Sequence, residues 1–144
     1  MFDKDALERA KSVVDQFRQV YVCEWAPDTL DEMEAAVFSL RHFSDEAANG
    51  ETRKEALLRL SREMTGHANT FGFDLLSDFA SSINAIVSGA RDVGAREVDI
   101  CHAHIMAMRT ALEIVAENPD GVLSADDEKR LRRDLRKIVR MTFN

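Results

Sequence analysis

The chain has 144 residues, 45% of them hydrophobic and 31% charged, a balance that suits one soluble helical or mixed domain and excludes fibrous and disordered classes. Its net charge of −7 argues against general nucleic-acid binding, because attraction to phosphate needs a basic surface. No run approaches the roughly 20 apolar residues of a membrane span. The acidic start Met1-Phe2-Asp3-Lys4-Asp5 also lacks the basic-then-apolar order of a signal peptide, so a cytoplasmic protein without membrane contact is expected. Cys23 and Cys101 are too few for a disulfide framework and read as reduced thiols.

Taken in chain order, nearly every segment reads as helix. Leu7, Ala10, Val14, Phe17 and Tyr21 recur at steps of three and four, which predicts one inward stripe on a first helix from about Lys4 to Cys23. Ala26-Pro27 is expected to end it, since a proline biases the residue before it away from helix. Asp28 or Thr29 then caps a second helix with Leu30, Met33, Val37 and Leu40 inward, fading near Phe43 to Glu46. The polar tract Ser44 to Arg53, containing Asn49-Gly50, is a loop. A third helix follows with Leu57, Leu60, Met64, Ala68 and Phe71 inward, and Gly72 stops or kinks it.

The fourth helix carries Leu76, Phe79, Ala80, Ile83 and Val87, and Gly89 to Gly94 is its exit. A long fifth helix, about Ala95 to Glu117, is patterned by Val98, Cys101, Ile105, Met108, Leu112 and Val115. Asn118-Pro119-Asp120-Gly121 breaks it. Ser124 followed by Asp127 is a capping-box-like start for a last helix, whose stripe is Leu131, Leu135 and Val139. Short loops between long amphipathic helices favour antiparallel neighbours, so the expected fold is all-α: an up-and-down four-helix bundle over about 28–117, with additional terminal helices that include one over about 124–141, all in a single domain of 1–144.

Bundles serve many functions, so the choice among them rests on particular residues. The run Arg62-Glu63-Met64-Thr65-Gly66-His67-Ala68-Asn69-Thr70-Phe71-Gly72 resembles the helix of histidine-containing phosphotransfer (HPt) domains, whose pattern is H-x-[LI]-K-G-x-[AS]-x-x-x-G. Met64, Gly66, Ala68 and Gly72 stand at the family's apolar and small positions, and Leu76, Phe79 and Ile83 continue its apolar spacing. Arg62, however, stands at the phosphorylated histidine, and Thr65 at the lysine that helps hold the phosphoryl group. Arginine cannot carry the group in the usual relay, since its guanidinium stays protonated and its lone pairs are delocalised.

At 100° per residue, Thr65 and Gly66 lie within about 60° of Arg62, whereas Met64 and Phe71 lie about 160° to 180° away. The resemblance therefore implies a retained outer face, with Arg62, Thr65, Gly66 and Asn69 as partner-binding residues. The implied partner is a response-regulator receiver domain, whose acidic aspartate pocket a fixed cation can meet, or a histidine kinase. A glycine on an exposed helix face costs roughly 1 kcal/mol of propensity relative to alanine, which suggests close approach by another backbone or helix. His67 is the remaining candidate for phosphorylation. It is turned about 140° from Arg62 towards the flank of the core, and a packed or capping role is expected instead.

The other chemistry-bearing residues point to no enzyme. There is no G-x-x-x-x-G-K-[ST] loop, no G-x-S-x-G elbow, no H-E-x-x-H and no E-x-x-H pair. Cys101 and His104 share a helix face, but two ligands do not close a zinc site, and neither metal nor cofactor is expected. His42 is placed at a helix end, and Trp25 is read as a packing anchor. The last helix is basic through Lys129, Arg130, Arg132, Arg133, Arg136, Lys137 and Arg140, a pattern that suits a helix C-terminus and could also meet an acidic partner or a second copy.

The expectation is thus a two-component signalling adaptor, a pseudo-phosphotransfer domain that binds without carrying phosphate. An active domain using another histidine, or a helical structural or oligomerisation protein, stays open beside it.

Overall fold

The computed structural model describes residues 3–42, 52–118 and 120–143. All regular structure among them is helical: α1 (Lys4–Val20), a π-helical turn (Tyr21–Trp25), α2 (Ala26–His42), α3 (Arg53–Thr70), α4 (Asp74–Gly89), α5 (Ala95–Glu117) and α6 (Ala125–Phe143). The expected fading of the second helix after Phe43 lies outside the described residues, as does the Ser44 to Arg53 loop up to its last two positions. No described helix is long and apolar enough to cross a membrane.

Helices α2 to α5 surround one core. Helix α3 packs against α2 and α4, α5 packs against α4 and α2, and α6 lies on α5. The expected stripes supply the centre: Leu30, Met33, Leu57, Met64, Ala68, Ile83, Val87, Ile105 and Met108 are all within 3% of complete burial. Burying a Leu, Ile or Met side chain contributes about 1.5–3 kcal/mol, so these helices are held mainly by the faces that periodicity identified.

Polar contacts fix how the helices sit. The Asn84 amide on α4 donates to Leu58 O at 3.2 Å and to Ser61 Oγ at 3.0 Å on α3, satisfying the buried Ser61. Arg109 on α5 reaches Asp31 and Glu34 on α2 at 2.7 and 2.8 Å. Arg132 ties α6 to Asp78 on α4 at 2.8 Å while also holding Glu128 of its own helix.

The N-terminal third departs from expectation twice. Ala26-Pro27 does not end the first helix; the chain stays helical from α1 into α2 through the π-turn. Pro27 is the second residue of α2, directly after the π-turn, and the widened turn before it relieves the ring's clash with a preceding carbonyl. The Ala26 N–H reaches back to Tyr21 O, and the Thr29 hydroxyl donates to Trp25 O at 3.0 Å.

Second, α1 contains no buried residue. Leu7, Val14 and Phe17 are exposed, and of the predicted stripe only Tyr21 enters the core, together with Val22. Trp25 is likewise exposed beside Phe17, with ring centroids 6.3 Å apart, rather than a buried anchor.

Candidate functional site

The face singled out by the sequence lies on the last three turns of α3. Thr52 caps the helix by accepting the Glu55 N–H at 3.0 Å. Its end is a Schellman turn: Gly72 N–H bonds to Asn69 O at 3.2 Å and Phe73 N–H to Ala68 O at 2.8 Å, with Gly72 at φ +77°. Only glycine takes that conformation readily, so a local stop signal accounts for the glycine at 72. Phe73, sent inward by the turn, stacks on Tyr21 at 6.0 Å.

Arg62, Gly66 and Asn69 are exposed, Thr65 is half-buried and Met64 is buried on the opposite side. Arg62 has no ion-pair partner among the described residues, whereas its neighbour Arg59 is bonded to Glu63 at 3.2 Å. A Cβ added at Gly66 would meet nothing within 4 Å. No described helix therefore explains this glycine by close packing. Thr65 cannot act like the lysine it replaces, because it is short and uncharged, and its hydroxyl donates to Ser61 O at 2.8 Å.

His67 is exposed rather than packed into the core's flank. It stands edge-on to Tyr21 with centroids 6.3 Å apart, in the last turn of α3. Tyr21 sits beneath it, stacked on Phe71 at 4.9 Å and donating its hydroxyl to Met64 Sδ at 3.0 Å. Burial raises the Tyr21 phenol well above its ordinary pKa, which keeps it a neutral donor. Phe71, expected inward, is half-buried past the helix end as the lid of this aromatic stack.

The remaining residues separate. Cys101 is buried, and burial together with Glu97 pushes its thiol up to about 12, so it behaves as a small apolar side chain. His104 is buried too: its Nδ1 lies 2.7 Å from Ile100 O, its ring is edge-on to Phe79, and burial lowers its pKa. His102 faces solvent, and among the described residues no group of three potential metal ligands occurs. His42 is the last described residue of α2.

Sequence reasoning missed the Asn84–Ser61 and Arg109 clamps. Both are isolated polar residues with no spacing signal, and only the packing brings their partners near. Comparison of the chain with protein-family models, curated proteins and solved structures yields no match.

Proposed function

We propose that the protein is a pseudo-phosphotransfer adaptor: an up-and-down four-helix bundle of α2 to α5 whose α3 face docks a receiver domain or histidine kinase without carrying phosphate. The observation that carries this reading is the combination of an exposed Arg62 cation, without an ion-pair partner among the described residues, with an open backbone at Gly66 on one solvent-facing surface. Nothing among the described residues needs either feature. A helix serving only as a wall of the bundle would be better built with alanine at 66.

The chemistry of the face is one of recognition. Arg62 offers a planar, permanently charged fork to a carboxylate pocket, and Gly66 lets a partner's backbone approach. Asn69 adds a donor and an acceptor one further turn along. In a protein of net charge −7, that local cation sets where an acidic partner can settle.

The test is a panel of receiver domains and kinase dimerisation domains, screened for binding with a labelled phosphodonor present and absent. Binding to at least one of them with no acid-labile label on the chain is expected. Label that transfers to the chain and vanishes in His67→Gln would instead establish an active phosphotransfer protein.

A further inference from the structure

The groove between α4 and α6 holds a polar side chain that neither the bundle nor the α3 face uses. Its floor is Phe79, His104, Leu135 and Val139, and its volume of about 360 Å³ is at the lower end of small-molecule sites. His104 is only 5% exposed. Its Nδ1 lies 2.7 Å from Ile100 O, which can only accept, so Nδ1 bears the proton; burial lowers the pKa and keeps the ring neutral. Nε2 is then an acceptor, and it has no partner among the described residues. Among those residues the one enclosed side-chain nitrogen or oxygen left without a partner is Arg18 Nε, so Nε2 of His104 is reached from outside, through the groove that its ring lines. Water or the O–H or N–H of a ligand is what remains to bond it.

The walls differ in charge. Arg132, Arg136 and Arg140 follow one another at steps of about one turn along α6, and the α4 wall is Asp78 and Ser82. Arg132 is already engaged by Asp78 at 2.8 Å and by Glu128 at 2.9 Å. Arg136 and Arg140 are exposed and have no ion-pair partner among the described residues. Past Arg132 along α6, the lining of the groove therefore holds two uncompensated guanidinium groups and no carboxylate, in a chain of net charge −7. Such a wall selects an anion, and a planar fork suits a carboxylate.

We infer that this groove binds a small aromatic carboxylate whose ring carries a hydroxyl or an N–H. The carboxylate lies on Arg136 and Arg140, the ring covers Phe79, Leu135 and Val139, and the donor meets Nε2 of His104. Each part excludes a class of ligand. Inorganic phosphate and sugar phosphates leave the apolar floor wet, an amine meets two cations, and an acid without a donor leaves His104 to water. A flat ring suits a floor made of one aromatic and two branched aliphatic side chains. The site shares no residue with the α3 face, so binding here is independent of what docks at Arg62.

Titration calorimetry of the full chain with para-hydroxyphenylacetate and with indoleacetate tests this. Saturable binding of at least one of them at a single site is expected, weakened at least about tenfold in the double variant Arg136→Gln/Arg140→Gln. Both positions are exposed, so circular dichroism should show unchanged helix content in that variant. Tyramine, which has an ammonium in place of the carboxylate, should not bind. Phenylacetate, an acid without a donor, should bind more weakly than the better of the two probes. The Nε2 magnetic resonance of His104 should move when that probe binds and stay in place with phenylacetate. No saturable binding of either acid, tyramine or phenylacetate binding as tightly, unchanged affinity in the double variant, or a His104 resonance indifferent to the bound acid would each overturn the proposal.

Discussion

Helices α1 and α3 look alike in sequence, each with an apolar stripe at helical spacing, yet α3 buries its stripe to within 3% exposure at Leu57, Leu60, Met64 and Ala68 whereas α1 buries nothing. Periodicity reports that a helix has a face to cover. It does not report which molecule covers it. For α3 the neighbours are α2 and α4 of the same chain, and for α1 the π-turn before Pro27 carries the helix past the bundle instead of folding it back.

The largest test of that contrast is a pair of truncations. Ile83→Ala, at a core position with 0% exposure, should cost about 2–5 kcal/mol in urea unfolding. Val14→Ala, at an exposed position, should stay within about 0.5 kcal/mol. A cost for Val14→Ala near that of Ile83→Ala would mean that α1 packs against its own bundle.

Two glycines on the same helix sharpen the comparison further. Gly72→Ala forces a side chain into a left-handed turn and should destabilise by about 1–2 kcal/mol. Gly66→Ala fills open space and should stabilise by about 0.5–1 kcal/mol while weakening partner binding. Thermal unfolding of both variants checks the signs. Of the residues that match the phosphotransfer pattern, Met64 and Ala68 are accounted for by the core and Gly72 by the Schellman turn, which leaves Gly66 as the match that internal structure does not explain.

Smaller effects probe the polar fittings. Asn84→Ala removes two bonds across the α3–α4 contact and should cost about 1 kcal/mol, read from the shift of the denaturation midpoint. His104 adds a pH signature. Its folded pKa is lowered below 6.5 by burial, so the unfolded chain takes up the proton first as pH falls. Stability is therefore complete above about pH 6.5 and declines just below it, and His104→Gln should flatten that slope.

Much of the fold was legible because α2 to α5 bury most of the residues their spacing names, while α6 buries Leu135 and half-covers Leu131 and Val139. Leu30, Met33 and Val37 on α2, and Val98 to Val115 on α5, needed only the 3.6-residue period. Pro27 misled because a proline at the first turn of a helix and a proline after one look the same in sequence; the π-turn that distinguishes them depends on geometry. In the candidate site, helical angles were enough to put Arg62 outside and Met64 inside. They could not show that Thr65 spends its hydroxyl on Ser61 O, or that His67 stands exposed over the Tyr21 stack.

The central claim is that the α3 face is a docking surface rather than a solvated wall, and the affinity of receiver domains for wild type and Arg62→Glu tests it most directly. Reversing the charge at Arg62 should weaken binding at least about tenfold, or about 1.4 kcal/mol, with stability unchanged and with Leu7→Glu binding as the wild type does. Equal affinity for wild type and Arg62→Glu, or no receiver bound by either, would contradict the account.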